Sequence, residues 1–484
     1  MRLLFATSEI FPIIKTGGLA DVSGALPTAL FATGLDIQIV LPAYRGILAT
    51  CESPHLLGSL QVFHDIRCDI YQTTLPGTQI PLLLIDYPEL YDREGGPYHH
   101  PQYGEWQDNA LRFGVLSKVA ALLAMPNDLQ VWQPDVIHCN DWQTGLTPYY
   151  LRQMGSKTRS VFSIHNLAFQ GNFHADWRHR LTLDEQDFKS EGYEFFGHVS
   201  FMKAGLYYAD ALSTVSPTYA KEIQTEQFGF GFQGLLRYRS ADLTGILNGI
   251  DTHVWDPATD AYLPVHYSVK KMRCKKEVKH ALQTELGLAL NADAPLLGVV
   301  SRLTHQKGLD MLATIAHQLL DNGCQLAVLG SGEPALEQQY QTLMQLYPGQ
   351  VSVTIGYNEP LSHRIMAGTD IFVMPSRFEP CGLNQMYGLR YGTIPVVANT
   401  GGLADSVHGG VLNAEGKVPA KMTGFVMPYH NPWTLLVTLR QAIAIFANSG
   451  QWLQLQKQAM RQDVSWETRA KHYQKLYETL FPGG

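Results

Sequence analysis

Short apolar runs alternate with longer amphipathic segments along most of this chain. The first run, RLLFATSE, leads through a turn into the apolar-periodic segment ADVSGALPTALFATG, and the run DIQIVLPAY follows. Short runs rich in β-branched residues are typical of buried parallel strands, and apolar residues three and four apart are typical of helices. The chain is therefore predicted to begin with a β-loop-α-β unit.

The alternation is more regular in the second half of the chain. Helical patterns there separate five short apolar runs: LLGVVSRL, CQLAVLGSG, VSVTIGY, IFVMPS and IPVVANT. This order predicts a doubly wound parallel α/β sheet. Residues 60–86 depart from the pattern, because they read as three short strands joined by turns with no helix between them.

The length of the chain, 484 residues, favours more than one domain. A new series of strand–helix units starts soon after residues 243–257. We therefore predict two Rossmann-like α/β domains, 1–245 and 246–461, followed by a helical segment at 462–484. Ligands of open α/β sheets bind at the carboxyl ends of the strands, so the two domains are expected to face a deep cleft that holds the site.

Composition narrows the classes of partner. A net charge of −7 and a pI near 6.2 leave no broad basic surface, so a nucleic-acid partner is not expected. No run approaches the roughly 18 apolar residues of a spanning helix, and the first residues lack the apolar core of a signal peptide, so no membrane partner is expected. The six cysteines show no metal-binding spacing and are predicted to be reduced thiols in a cytoplasm, with no metal site.

The hexapeptide TGGLAD occurs twice, at 16–21 and at 400–405. The first copy lies between a predicted strand and a predicted helix. Gly17 and Gly18 would let a phosphate approach backbone N–H groups at the helix N-terminus, and Lys15 would add a positive charge. A plain tight turn with a solvated lysine explains this copy equally well.

A second glycine-rich motif, GFGFQG at 229–234, matches the spacing of a dinucleotide fingerprint. Such a fingerprint must follow a strand and open a helix. Here the preceding segment, YAKEIQTEQF, reads as a helix, so the motif is interpreted as a flexible loop. The case for an NAD-dependent oxidoreductase is correspondingly weak.

Two cations follow the predicted strand LLGVV. Arg302 and Lys307 lie in a short polar loop before a helix. A guanidinium fork and an ammonium point charge together suit a diphosphate. The alternative is a pair of surface cations with no ligand.

Glu379 lies within PSRFEPCGLNQM, directly after the predicted strand DIFVM. Pro380 suits a first helical turn, which would place Glu379 just before a helix N-terminus. The N–H groups of Cys381, Gly382 and Leu383 would then point toward an anion. Alternatively, Glu379 only caps that helix.

Polar and aromatic residues follow two predicted strands of the first domain. They are His138, Asp141, Trp142, His165 and Asn166. Sugar hydroxyls need hydrogen-bonding partners and sugar rings pack on aromatic faces, so this set suits a carbohydrate. A single histidine after a strand is nevertheless more often structural.

These motifs resemble those of the bacterial glycogen synthases and their plant starch-synthase relatives, in family order and over nearly the whole chain. The matching stretches are KTGGLADV, HCNDWQTG, SIHNLAFQG, ILNGID, SRLTHQKGLD and PSRFEPCGLNQ. The resemblance implies a retaining glycosyltransferase of GT-B architecture. It also implies transfer of glucose from ADP-glucose to the non-reducing end of an α-1,4-glucan such as glycogen, with no cofactor.

The resemblance implies roles for single residues. Glu379 matches the essential carboxylate near the donor sugar. Arg302 and Lys307 match cations that neutralise the departing diphosphate. His165 would hydrogen-bond the donor sugar, with Asp141 nearby on the acceptor side.

Further substrate contacts are implied in the same way. Asn248 would contact the glucose and Tyr357 the adenine. The diphosphate would meet both glycine loops, that is, Lys15, Gly17, Gly18, Gly401 and Gly402. The terminal helical segment would pack back on the first domain.

The sequence departs from the family pattern in small ways. Asn384 stands where Thr is expected, which puts one donor contact in doubt, and Ala20 stands where plant enzymes more often have Gly. Three alternatives remain open: a related transferase that uses UDP-glucose or another acceptor, a phosphorylase that needs pyridoxal phosphate, and a non-catalytic glucan-binding protein.

Overall fold

The computed structural model describes residues 1–129, 132–412 and 417–481. The chain divides into two compact units. The first comprises Met1–Asn248 and the C-terminal segment from Trp466, and the second comprises Gly249–Ser465. The domain limits predicted from the sequence, at 245 and 462, therefore fall a few residues before those of the structure.

The first unit is built from short strands and helices. Its strands are β1 (Arg2–Ala6), β2 (Asp36–Pro42), β3 (His55–Phe63), β4 (Ile66–Thr74), β5 (Pro81–Asp86), β6 (His99–His100), β7 (Gly104–Glu105), β8 (Val136–Asn140), β9 (Arg159–Ile164), β10 (Asn172–His174), β11 (Glu194–Phe195), β12 (His198–Ser200), β13 (Ala211–Thr214) and β14 (Leu243–Gly245). Its helices before the unit boundary are α1 (Gly18–Ala32), α2 (Ile47–Thr50), α3 (Pro88–Tyr91), α4 (Asn109–Leu122), α5 (Thr147–Gln153), α6 (Trp177–Arg180), α7 (Phe201–Tyr208), α8 (Pro217–Glu222) and α9 (Gln233–Tyr238).

Nine of these strands form one sheet in the order β14-β13-β9-β8-β1-β2-β5-β4-β3. The strands from β14 to β5 pair in parallel, whereas β4 and β3 are antiparallel additions at one edge. This confirms the prediction of consecutive strands without a helix in residues 60–86. The chain builds outward from β1 to β2 and β5, and then continues on the other side with β8, β9 and β13. The order therefore reverses between β1 and β8, which is where open α/β sheets bind ligands.

The second unit contains one parallel sheet with helices between its strands. Its elements are α10 (Cys274–Glu285), β15 (Leu296–Val300), α11 (Leu309–Leu320), β16 (Gln325–Gly330), α12 (Pro334–Leu346), β17 (Val351–Ile355), α13 (Glu359–Gly368), β18 (Ile371–Met374), α14 (Asn384–Tyr391), β19 (Ile394–Ala398), α15 (Gly401–Ser406), β20 (Phe425–Met427), α16 (Pro432–Phe446) and α17 (Ser449–Met460). The strand order is β17-β16-β15-β18-β19-β20, so it reverses between β15 and β18.

The strands of both sheets consist mainly of buried apolar residues, as the short apolar runs predict. In the second unit one core cluster joins helices and strands through Leu282, Leu296, Leu329, Leu361 and Ile365. Continuous apolar strands of this kind need cover on both faces, which the intervening helices provide.

The last helix, α18 (Trp466–Glu478), belongs to the first unit and packs on α1. Its Tyr477 hydroxyl forms a 2.8 Å hydrogen bond with Nδ1 of His138, whose Nε2 lies 2.6 Å from the Ser163 hydroxyl. His138 is completely buried, and burial lowers its pKa to about 3. His138 is thus a neutral core residue, and the interpretation of it as part of a sugar-binding set is wrong.

Candidate functional site

The first candidate site lies at the carboxyl ends of β1, β8 and β9. The amide of Asn140 donates to the carbonyl of Ala6 at 3.0 Å and so joins the ends of β8 and β1. The Asn140 side-chain oxygen accepts a 3.0 Å hydrogen bond from Nε2 of His165. Burial lowers the pKa of His165 to about 4, so its ring is neutral near pH 7 and carries its proton on Nε2.

Asp141 follows β8 with a backbone φ of 59°, which is rare for a residue with a side chain. It is buried, and its Oδ1 accepts the N–H of Trp142 at 3.1 Å. Burial raises the pKa of Asp141 from 3.8 to about 8, and the nearby Glu9 carboxylate adds to the rise. Asp141 lies next to the point where the order of the strands in the sheet reverses. Backbone strain and a buried acid with a raised pKa are both typical of functional sites.

Asp141→Asn is expected to stabilise the protein increasingly as the pH rises from about 4 to 8. In this interval the unfolded chain releases the Asp141 proton while the folded chain keeps it, so ionisation of Asp141 disfavours folding. The gain should reach roughly 1–3 kcal/mol at pH 8 and vanish near pH 3. Urea unfolding of both proteins at the two pH values measures it; equal gains at both would contradict the raised pKa.

The first TGGLAD loop holds a carboxylate where the sequence predicts a phosphate. Oε2 of the buried Glu9 accepts the N–H groups of Thr16 at 2.5 Å and Gly17 at 3.2 Å, and Oε1 accepts the hydroxyl of Tyr98 at 2.5 Å. Lys15 is also occupied, in a 2.9 Å ion pair with Asp21. The N–H of Gly17 is therefore already hydrogen-bonded within the protein and is not available to a phosphate.

The open part of this loop is its helical end. The N–H of Gly18 makes no hydrogen bond with the residues that the structure describes, and a Cβ added at Gly17 or Gly18 would meet no atom within 4 Å. These glycines are not required by packing inside the first unit. The space around them suits close approach of a ligand.

Trp142 does not offer a free ring face. Its ring lies 5.0 Å from Phe113 and 5.8 Å from Phe173 between ring centres, and Gly171 approaches it so closely that an added Cβ would lie 2.3 Å from the indole. Trp142 thus belongs to an aromatic cluster that supports the loops after β8 and β9.

The second candidate site lies at the carboxyl ends of β15 and β18. Lys307 and Glu379, 72 residues apart, form an ion pair with 2.6 Å between Nζ and Oε2. The hydroxyl of Ser376 donates to the same oxygen at 3.1 Å. Both charged groups are largely buried. The structure thus brings together Lys307, which was predicted to contact the diphosphate, and Glu379, which was predicted to lie near the donor sugar.

Several contacts hold the two loops of this site together. Gly308 passes so close to Pro375 that an added Cβ would lie 2.1 Å from the Pro375 oxygen. Arg377 binds both oxygens of Asp310 at 2.7 Å, and this guanidinium holds the pKa of Asp310 below its usual value. Sequence reasoning missed the Arg377–Asp310 pair, because two opposite charges so far apart give no periodic signal.

The position of α14 corrects one prediction. This helix begins at Asn384, so Pro380 does not lie in its first turn. Gly382 has φ 69°, a left-handed conformation that interrupts the backbone before the helix. Within the described chain the N–H groups of Gly382 and Leu383 meet no protein acceptor, so both are free to donate to a ligand, whereas Cys381 is buried.

Asn384 and Arg302 define the edge of this site. The Asn384 amide donates to the carbonyl of Val300 at 2.6 Å, so this departure from the family pattern ties α14 to the end of β15. Arg302, two residues later, is exposed and forms no ion pair with the residues that the structure describes. Among the described residues, Arg302 is therefore the cation of this site that has no carboxylate partner.

The second TGGLAD loop packs on the Glu379 segment. The Gly402 N–H points to the carbonyl oxygens of Glu379 and Pro380 at 3.2 and 3.1 Å. Added Cβ atoms at Gly401 and Gly402 would lie 1.9 Å from the Glu379 oxygen and 2.2 Å from the Cys381 oxygen. The Gly402 amide is therefore not an open cradle for a phosphate, although the sequence suggested one.

The structure also shows the surroundings of Tyr357 and Asn248, the two residues predicted to contact the adenine and the glucose. Tyr357 follows β17 with 75% of its surface exposed, and its hydroxyl donates to the Glu359 carboxylate. Asn248 is buried, and its side-chain oxygen meets no hydrogen-bond donor among the described residues. A buried unpaired oxygen of this kind suits a ligand hydroxyl.

The structure also bears on the GFGFQG motif, on metal sites and on membrane-spanning helices. GFGFQG follows a turn rather than a strand, which confirms that it is no dinucleotide fingerprint. The described residues contain no group of three or more His, Cys, Asp or Glu suited to a metal ion. Among them, no helix is long and apolar enough to cross a bilayer.

Comparison with known proteins places both units in known families. Residues 2–238 match the family model of the starch synthase catalytic domain, and residues 287–443 match that of glycosyl transferases group 1. A glycogen synthase from Nitrosomonas eutropha is 47% identical, covering 99% of this chain and 96% of that protein. One from Dechloromonas aromatica is 48% identical, covering 99% and 98%.

Solved structures agree with these matches. The catalytic domain of starch synthase IV from Arabidopsis thaliana, bound to ADP and acarbose, superposes with a TM-score of 0.87 at 31% identity and covers 99% of this chain and 98% of that one. Sucrose-phosphate synthase from Thermosynechococcus elongatus, at 17% identity and a TM-score of 0.60 over both full chains, shares the fold. The prediction of a GT-B architecture with two doubly wound domains is confirmed.

Proposed function

The chain belongs to the glycogen synthase family, and from this premise we propose that it transfers glucose from ADP-glucose to the non-reducing end of an α-1,4-glucan, with retention of configuration. The relatives named above are glycogen synthases, and the Arabidopsis starch synthase carries ADP. The observation that carries the proposal is the second-unit site. It combines a buried carboxylate, a paired lysine, an unpaired arginine and open backbone amides at one strand reversal.

This set of groups suits the departure of a nucleoside diphosphate. When the bond between glucose C1 and the diphosphate breaks, negative charge develops on the phosphate oxygens. Arg302 and the N–H groups of Gly382 and Leu383 would stabilise that charge. Lys307 has three N–H donors, so it can contact a phosphate while it stays paired with Glu379.

Glu379 provides the opposite charge. Its carboxylate is held by Lys307 and Ser376, so its position is fixed before a substrate arrives. A carboxylate beside C1 stabilises the positive charge that the sugar ring gains in the transition state. In the first unit, neutral His165 and protonated Asp141 can hydrogen-bond sugar hydroxyls.

Other parts of the proposal remain predictions. We propose that Tyr357 contacts the adenine, that Asn248 contacts the glucose, and that Gly18 lies against the diphosphate. No metal ion or cofactor is required if Arg302 and Lys307 neutralise the leaving group. A cytoplasmic location and the absence of nucleic-acid and membrane partners also stay predictions.

One assay tests the function directly. The protein is incubated with glycogen, EDTA and either ADP-glucose or UDP-glucose, and the released nucleotide is measured. We expect glycogen-dependent release of ADP, at least about tenfold faster than release of UDP. Faster release of UDP would favour a related transferase, and binding of glycogen without release of either nucleotide would favour a non-catalytic binding protein.

A further inference from the structure

Two Phe-Gly turns in the first unit have the same unusual backbone. Phe196 and Gly197 join β11 to β12 with φ values of 48° and 80°. Phe230 and Gly231, inside the GFGFQG motif, have φ values of 47° and 92°. Two of the five non-glycine residues with positive φ in the described chain are therefore phenylalanines that precede a glycine.

Both phenylalanines remain exposed although this backbone is unfavourable for them, and Phe196 also packs edge-on against Phe195 with 4.7 Å between ring centres. A left-handed conformation is unfavourable for a residue with a bulky side chain, and Asn or Gly is favoured at such positions. The cost is not offset by burial, because Phe196 is 81% exposed and Phe230 is 41% exposed. Backbone strain that displays a side chain to solvent points to a binding role.

The two turns lie side by side. A Cβ added at Gly231 would lie 3.5 Å from the ring of Phe196 and 2.8 Å from that of Phe195. Phe195 stacks on Phe232 with 4.1 Å between ring centres, so the two turns share one aromatic base. The two turns that carry the exposed rings are therefore held on one shared aromatic base.

A third loop is joined to these two turns. Gln170 donates its amide to the Phe230 carbonyl at 2.9 Å, and Asn172 donates to Gln170 at 2.8 Å. Phe169, next to Gln170, is 51% exposed. We name the three exposed rings, Phe169, Phe196 and Phe230, the Phe-Gly platform.

The platform consists of apolar rings, and the side-chain amides of Gln170 and Asn172 lie beside it. This combination suits a neutral ligand that has both apolar faces and hydroxyls, which is the chemistry of a sugar chain. The loop that contains Phe169 and Gln170 starts directly after His165, so Phe169 lies four residues along the chain from the first-unit site.

We infer that the Phe-Gly platform binds a segment of the glucan acceptor beyond the residues that react. The identity of the chain as an α-glucan rests on the proposed function; the platform itself rests on the geometry of the two turns. Several glucose units that stack on the rings would hold the polymer near His165 between successive transfers.

The experiment measures binding of glycogen without any transfer. Co-sedimentation with glycogen gives the dissociation constants of the wild type, Phe196→Asn, Phe230→Asn and the control Tyr238→Asn. Tyr238 is 81% exposed at the end of α9 and lies outside the platform. We expect each platform variant to bind glycogen at least about fivefold more weakly and the control to bind like the wild type.

Melting temperatures separate binding from stability. Because Asn suits a left-handed turn better than Phe, Phe196→Asn should melt at the same or a higher temperature while it loses affinity. Unchanged glycogen binding in both platform variants would overturn the inference, as would an equal loss in the Tyr238 control. A lower melting temperature in Phe196→Asn would contradict the strain argument, and Phe230→Asn would then decide the binding role.

Failure of the proposed function gives a different result. A protein that releases no ADP but sediments with glycogen through the platform would lose the assignment as a transferase and keep the platform. A protein that transfers glucose normally in both platform variants, with unchanged glycogen affinity, would keep the function and lose the platform.

Discussion

Replacing Glu379 with glutamine is expected to lower kcat for glucosyl transfer by about a thousandfold or more. Glutamine has nearly the same shape and can still accept the Ser376 hydrogen bond, but it carries no charge. The variant therefore removes the electrostatic contribution of the carboxylate while the backbone keeps its course. Released ADP, measured with saturating ADP-glucose and glycogen, gives the rate.

A matched control distinguishes the loss of a catalytic carboxylate from the general effect of removing one negative charge. Glu285→Gln removes a carboxylate from a partly exposed pair with Arg364 in the same unit, so it should keep nearly full activity. Circular dichroism should show both variants folded, with some loss of stability in Glu379→Gln because Lys307 loses its partner. Near-normal kcat in Glu379→Gln would refute the role of this carboxylate.

The second large effect is on folding and distinguishes the two TGGLAD loops. Gly401→Ala should lower the free energy of unfolding by roughly 3 kcal/mol or more, or prevent folding. Its Cβ would lie 1.9 Å from the Glu379 oxygen, and its φ of 42° disfavours any side chain. Urea unfolding followed by tryptophan fluorescence measures the loss.

The same substitution in the first loop provides the comparison. Gly17 has φ −156°, and an added Cβ would meet no atom within 4 Å, so Gly17→Ala should unfold like the wild type. Any effect on KM for ADP-glucose would then come from the ligand and not from the fold. Similar losses of stability in the two alanine variants would contradict the difference in packing between the two loops.

The sequence predicted the fold well because the pattern of apolar residues determines which segments are covered. Buried strands give short continuous runs, and their carboxyl ends can be read directly from the chain. Arg302, Glu379 and His165 were found in this way, since each follows such a run. The two doubly wound α/β domains follow from the same signal, whereas the GT-B assignment came from the resemblance to the glycogen synthases.

The contacts made inside each site could not be predicted in this way. That Glu9 would occupy the amides of Thr16 and Gly17 depends on the course of a loop, and no spacing encodes it. The start of α14 was misplaced because the left-handed Gly382 outweighs the helical preference of Pro380. Pairs that bridge two strand ends, such as Asn384 with Val300, arise only when the sheet is assembled.

The packing of the second TGGLAD loop on the Glu379 segment has a consequence for divergence within the family. The glycines at 401 and 402 and the backbone at 379–381 occupy the same few ångströms, so neither can change alone. These positions should covary as one block together with residue 379. An added Cβ at 17 or 18 would meet no atom within 4 Å, so packing inside the first unit does not constrain these glycines. Identical hexapeptides in one chain can therefore evolve under different selection, with only the second copy constrained by packing.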